Sequence, residues 1–377
     1  MITLLIAGLS CLIWLFLLTG RGGFWRMPSP PQAPAPLVWP TVTAVIPARN
    51  EAEVIATAVA SLLAQDYPGP FRIIVVDDHS TDGTADQVRA AAAASQRHDA
   101  VTVVAAAPLP PGWSGKLWAL SQGIARAGDA PLLWLTDADI SHPADGLRRL
   151  VARLEQGHLD LASVMVRLRC RCWAERALMP AFVFFFRMLY PFAWVNDPAK
   201  QTAGAAGGCM LVRASALAAI GGISAIRGAL IDDCTLGAAL KAKGPIRLDL
   251  ESDFHSIRGY DDVATIWRMI ARSAYTQLHH SPLLLAGTVL GMAVTYLAPP
   301  VLALAAGGIA RNLGILTWIL MSVAYLPSLR FYRVSPAWAP LLPVIALCYL
   351  GATLDSARRY WQGRGGEWKG RIQATGS

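Results

Sequence analysis

The chain has 377 residues, 54% hydrophobic and 15% charged, with a formal net charge of +8. That length holds one sizeable globular domain plus further elements, and the composition is too apolar for a wholly soluble protein, so part of the chain is expected in lipid. The basic residues gather beside apolar segments (Arg330, Arg333, Arg358, Arg359, Arg364, Lys369, Arg371), where they suit anionic headgroups rather than nucleic acid. Six cysteines at 11, 170, 172, 209, 234 and 348 form neither a disulfide framework nor a four-ligand zinc spacing.

In chain order, residues 1–20 ("ITLLIAGLSCLIWLFLLTG") approach the ~20 apolar residues that a bilayer core demands. They lack a basic leader and a small-x-small cleavage site, and Arg21 and Arg26 follow directly, so an uncleaved anchor is predicted. Six prolines between Met27 and Pro40 make residues 21–40 a stiff linker. From Thr41 the pattern alternates. "VTAVIP", "RIIVVD", "VTVVAA" and "LLWLT" read as strands, and "EAEVIATAVASLLAQ", "TADQVRAAAAAS" and "KLWALSQGIARA" as helices. Such alternation predicts an α/β domain over 41–281, with a doubly wound parallel sheet whose ligands bind beyond the carboxyl ends of the strands. Polar loops fall at those ends: "PARNE", "DDHSTDGT" and "TDAD". Each alone is ordinary turn chemistry; together they predict one site.

Asp137 and Asp139 are hard oxygen ligands on one loop and suit Mg²⁺ or Mn²⁺ bridging a diphosphate, although Asp139 also reads as the cap of the helix in "HPADGLRRLVARLEQ". Pro47, Arg49 and Glu51 stand where a nucleoside is held. Lys116, on a Gly-Lys turn at a helix start, offers a point charge to phosphate or is a solvated lysine. Asp233 follows "GALI" and starts "CTLGAALKAKG", as a general base or as a helix cap. His255 in "DFHSIRGY" reads as a further metal ligand or a structural histidine. "ALMPAFVFFFRMLYPFAW" (177–194) is broken by Pro180, Arg187 and Pro191, and reads equally as an interfacial helix guiding a lipid acceptor or as a buried core helix. Apolar stretches within 282–357 predict further membrane helices before a basic tail, 358–377. Positive-inside places the 41–281 domain in the cytoplasm, at the inner membrane of a multi-pass protein. An odd number of later spans would put the tail outside, so residues 283–310, bent at Pro299 and Pro300, are expected to form a hairpin or re-entrant element.

"VIPARNE", "VVDDHSTDGT", "GKLWALSQG", "TDAD", "GGCMLVR" and "IDD", in this order, resemble the family 2 glycosyltransferases, inverting enzymes of the GT-A fold. "PGWSGKLWAL", "SIRGYDD", "RMIARSAYTQL" and "GRGGEWKGR" resemble more narrowly the hopene-associated membrane glycosyltransferases. The resemblance implies a nucleotide-sugar donor, UDP-linked, a lipid acceptor, Asp78 accepting from uracil, and the second acid of Asp232-Asp233 as base where relatives often show Glu-Asp. It also implies a diphosphate contact at Arg272, although only the arginine of the relatives' Gln-x-x-Arg-Trp motif is kept, and Arg268 is a spare. Two other readings stay open. A nucleotidyltransferase acting on a sugar phosphate would show a glycine-rich phosphate loop after its first strand, which "PARNEAE" lacks; a non-catalytic membrane scaffold would be expected to have lost an acidic loop, and none is lost.

Overall fold

Runs of β-branched residues and leucine build the strands that the sequence predicts: β1 (Val42–Ala48), β2 (Phe71–Asp77), β3 (Val101–Ala105) and β4 (Leu132–Thr136). In the computed structural model, which describes residues 1–368 and 371–372, these four pair in parallel in the order β3-β2-β1-β4. β1 and β4 are buried along their whole length, as parallel strands covered on both faces must be. Ile55, Val59 and Leu62 of the helix Ile55–Leu63 pack on one face with Leu147, Leu150 and Leu154 of the helix Gly146–Gln156. The helix Gly115–Ala125 covers the other face and approaches closely at Gly123, where an added Cβ would overlap the Val45 side chain.

The rest of the sheet adds antiparallel strands to this parallel half, which leaves the α/β sheet parallel-rich and flanked by helices. β5 (Ile140–Ser141), β6 (Leu161–Arg167), β7 (Cys209–Arg213) and β8 (Ile246–Ser256) complete the order β3-β2-β1-β4-β7-β6-β8-β5. β7 runs antiparallel to both β4 and β6, β6 and β8 are parallel, and β5 is antiparallel on the edge. The sheet is therefore mixed and flanked by helices, and its parallel half carries the predicted loops. Asp139 precedes β5, and the next helix starts seven residues later at Gly146, so Asp139 is not its cap.

The chain divides into two units. The sheet unit draws on residues 29–169 and 194–259; the other comprises residues 1–28, 170–193 and 260–365. The second unit contains four helices long and apolar enough to cross a membrane: Ile2–Thr19, Pro282–Ala305, Gly308–Phe331 and Pro336–Trp361. The helix Trp173–Leu189 belongs to it and is buried there, with Phe184 against Tyr325 and Phe185 against Tyr296 and Tyr349. Glu175, wholly buried on that helix, accepts from the backbone N–H groups of Arg171 (2.6 Å), Cys172 (3.1 Å) and Tyr260 (2.9 Å).

The bend expected within 283–310 falls at Ala306–Gly307, not at the prolines. Pro299 and Pro300 ride inside a helical run that passes through a π turn, Ala293–Leu297. Neither proline has an N–H, so the Thr295 carbonyl loses both its α partner at 299 and its π partner at 300. The Trp14 indole N–H donates to that carbonyl at 2.8 Å instead. Near the end of the last apolar helix, Ser356 Oγ accepts from Tyr275 N at 3.0 Å and Tyr360 stacks on His280 at 4.1 Å. That end therefore sits beside the residues that lead into Pro282. Its other flank turns inward, since Trp318, midway along Gly308–Phe331, donates to the Pro340 carbonyl at 2.9 Å.

Candidate active site

The loops after β1 and β2 are stapled together. Asn50 N donates to Ser80 Oγ (3.0 Å), Thr81 N to Asn50 Oδ1 (2.9 Å) and Glu51 N to Thr84 Oγ1 (2.8 Å). Arg49 Nη1 donates to the Asp78 carbonyl at 2.6 Å and lies 3.8 Å from its carboxylate, which is buried. Asp77 Oδ1 receives Ser80 N at 3.3 Å and braces the loop. Pro47 is buried inside β1, opposite Val76.

The acidic residues meet around Lys116. Ser114 Oγ caps the helix Gly115–Ala125 by accepting from Leu117 N, which sets Lys116 in the first turn. Lys116 Nζ lies 2.9 Å from Asp137 Oδ1 and 3.1 Å from Asp232 Oδ2. Burial opposes its charge, but Asp137 and Asp232 outweigh burial and hold the ammonium above its ordinary value. Burial pushes the Asp137 carboxyl up, with Lys116 pulling the other way. Asp233 stands in the first turn of the helix Asp232–Lys241, where Oδ2 receives Gly207 N at 2.9 Å and Oδ1 receives Cys234 N at 2.7 Å. Burial and then the neighbouring Asp232 push Asp233 up to about 6. Helix-start position and base-like tuning coexist in this residue, since neither backbone bond uses up both lone pairs of an oxygen.

Asp139 is engaged by a residue that sequence reasoning left without a role. Arg258 Nε lies 2.7 Å from Asp139 Oδ2, and its Nη2 binds Glu51 Oε2. Glu51 thus faces the carboxylate loop through Arg258. The signal was present, since Arg258 is the basic residue of "SIRGYDD" just beyond β8. Asp137 Oδ2 and Asp139 Oδ1 have no protein hydrogen bond among the described residues. Two hard oxygens on one loop would suit a Mg²⁺ or Mn²⁺ ion, with Asp137 and Asp139 as the residues that would hold it. His255 does not join them: Ser256 turns its hydroxyl to Asp139 (3.4 Å), whereas His255 Nδ1 lies 3.1 Å from the Asp253 carbonyl. Adjacent strand residues point to opposite faces. Among the described residues no three His, Cys, Asp or Glu side chains gather to hold a metal. Arg272 is exposed on the helix Val263–Ser273 of the other unit, as is the spare Arg268. Lys369 lies outside the described residues.

Comparison with known proteins adds a family match and a likeness of fold. Residues 43–221 match the family model described as Glycosyl transferase family 2. The chain is 36% identical over 118 residues to the beta-monoglucosyldiacylglycerol synthase of Synechocystis sp., covering 30% of this chain and 22% of that protein. It is 34% identical over 116 residues to an uncharacterized glycosyltransferase of Mycobacterium tuberculosis, covering 31% and 44%. The matched region therefore spans less than half the length of either curated relative. Among solved structures it is similar to the mannosyltransferase PcManGT from Pyrobaculum calidifontis in complex with GDP-Man and Mn²⁺, with a TM-score of 0.57 and 21% identity, over 96% of this chain and 99% of that one. That likeness shows the fold.

Proposed function

From a chain whose residues 43–221 match the family model described as Glycosyl transferase family 2, we propose a membrane-bound inverting glycosyltransferase that moves a sugar from a UDP-linked donor to a lipid hydroxyl on the cytoplasmic face. The observation that carries this reading is the grouping of Asp137, Asp232 and Asp233 around Lys116, with Asp233 tuned to about 6. A carboxylate with that value is ionised at neutral pH and still basic enough to accept a proton. The acceptor hydroxyl gives its proton to Asp233 as its oxygen attacks the anomeric carbon, and the nucleoside diphosphate leaves from the opposite face. Lys116 stands ready for the charge that develops on the diphosphate. Mg²⁺ or Mn²⁺, when held by Asp137 and Asp139, supplies Lewis-acid stabilisation to the same leaving group. Arg258, through Glu51 and Asp139, ties the carboxylate loop to the nucleoside loop, where Pro47, Arg49 and Asp78 hold the base.

The four apolar helices and the sequence likeness to a diacylglycerol glycolipid synthase support a lipid acceptor. The motifs "PGWSGKLWAL" and "SIRGYDD" favour a hopanoid-linked one. Two substitutions test the reading. Asp233→Asn keeps the shape but removes the base, so turnover falls by roughly 10² to 10⁴ while donor affinity barely moves. Asp139→Asn weakens turnover and UDP·Mn²⁺ binding together, the latter read as a smaller thermal shift in detergent. Near-full activity in Asp233→Asn overturns the mechanism, and an unchanged thermal shift in Asp139→Asn removes the metal assignment.

A further inference from the structure

Behind the acidic loop lies a buried polar pair that the mechanism above does not use. Thr136, the last residue of β4, is 2% exposed, and His142, just past β5, is 5% exposed. Thr136 Oγ1 lies 2.8 Å from the Gly208 carbonyl and 3.0 Å from His142 Nε2. A carbonyl oxygen only accepts, so the Thr136 hydroxyl hydrogen points at Gly208, and the hydroxyl oxygen is left to accept from His142. Nε2 therefore carries the imidazole proton. The ring is boxed between Trp134 (4.5 Å) and Phe254 (5.7 Å), and its backbone N–H is anchored on Ser61 Oγ (3.1 Å). Burial first, and then His255, lower its basicity to about 3, which keeps the imidazole neutral and the bond direction fixed.

The chain of bonds then continues into the site. Gly208 follows Gly207, whose N–H holds Asp233 Oδ2 at 2.9 Å. Both glycines sit where a side chain does not fit comfortably: a Cβ at Gly207 would stand 3.3 Å from Lys116 Nζ and 3.4 Å from Asp233 Oδ2, and one at Gly208 would stand 3.3 Å from Ile140. On its other side Thr136 is covalently joined to Asp137. A single hydroxyl thus links the start of the acidic loop to the turn that grips Asp233.

We propose that Thr136, oriented by His142, is a positioning residue that sets the spacing between Asp233 and the Asp137–Asp139 loop. This rests on the glycosyltransferase reading given above and extends it to what holds its two halves in register. Nucleotide binding draws on the loops after β1 and β2 and on the aspartates, whereas turnover also needs Asp233 at the right distance from the reacting carbon. Displacing one half against the other therefore acts on the chemical step. A shift on the order of 1 Å in such a geometry lowers the rate by roughly 10²-fold.

The test uses the full chain in detergent, with UDP and Mn²⁺ as the binding probe and radiolabelled UDP-glucose or GDP-mannose with a bacterial lipid extract for turnover. Thr136→Val, nearly the same shape without the hydroxyl, lowers turnover by roughly 10- to 100-fold and leaves UDP·Mn²⁺ affinity within about two-fold. Thr136→Ser restores most of the rate. Should Thr136→Val fail to fold, His142→Gln, which keeps an N–H donor, and His142→Leu, which does not, give the same contrast. Unchanged turnover without the hydroxyl or the donor overturns the proposal. So does parallel loss of affinity and turnover, or a conservative variant as impaired as the disruptive one. Asp233→Asn is measured alongside: near-full activity there defeats the underlying mechanism, whereas a collapse there with an active Thr136→Val defeats the positioning role alone.

Discussion

Acid should switch this protein off well above the range of an ordinary aspartate. In the proposed mechanism Asp233 must be ionised to take a proton, and burial followed by the charge of Asp232 raises its carboxyl to about 6, against the pull of Lys116 and the N–H groups of Gly207 and Cys234. An acid with that value is roughly 91% ionised at pH 7 and 9% at pH 5, so kcat drops about ten-fold across the interval; a base near ~3.9 would lose under about a tenth. Asp232→Asn removes the neighbouring negative charge, which favours the ionised form, so the acid limb moves to lower pH. The sign for stability is the reverse of a salt-bridged aspartate. A folded value above the unfolded one penalises the ionised native state, and the penalty grows as pH rises from ~3.9 through about 6. The stability of Asp233→Asn relative to wild type is therefore expected to rise as pH increases from about 4 to 7, while turnover is lost. Steady-state kcat at saturating donor, measured from about pH 4.5 to 8 at constant ionic strength, reads the first effect. A wild-type profile flat between pH 5 and 7, or an acid limb that rises in Asp232→Asn, refutes the reasoning.

Two further outcomes concern the apolar unit. Trp14→Phe keeps the ring but leaves the Thr295 carbonyl without a donor in a dry environment, a loss of about 1–3 kcal/mol that thermal unfolding in detergent will show, with no shift counting against the bond. Because Ser356 and Tyr360 pack on Tyr275 and His280, the tail is expected on the side from which Pro282 enters the bilayer. An Arg364→Cys thiol should resist an impermeant reagent in intact cells, and labelling there would place the tail outside.

The parallel half of the sheet was legible because β1, β2 and β4 are short β-branched or leucine runs that end in polar loops, and each signal is local. β7, β5 and the partnering of β8 were not, since "CMLVR" and "IS" acquire a direction only from the neighbours they pair with. At the site, Lys116, Asp137, Asp232 and Asp233 came together as the motifs suggested, because each sits at a strand or helix end whose position the fold fixes. Arg258 escaped notice because its partners Glu51 and Asp139 are 207 and 119 residues away. His142 escaped for the opposite reason: a histidine three residues past an acidic loop looks like turn chemistry until its ring is seen boxed by Trp134 and Phe254. Pro299 and Pro300 misled the reading of the second of the four long apolar helices, because a π turn and the Trp14 indole absorb what two prolines take from a helix.

The bond between Trp14 and Thr295 joins residues 281 positions apart. At a synthesis rate of 5–20 residues per second, the first apolar helix leaves the ribosome roughly 14–56 s before the carbonyl that needs its indole exists. During that interval the sheet unit has time to fold, and the Trp14 N–H must be served by some other acceptor. The proline-bearing helix in turn arrives with a carbonyl that its own backbone cannot satisfy, and acquires its donor only by finding a helix made long before. Assembly of the apolar unit is thus a late event of biogenesis, set by the last third of the chain.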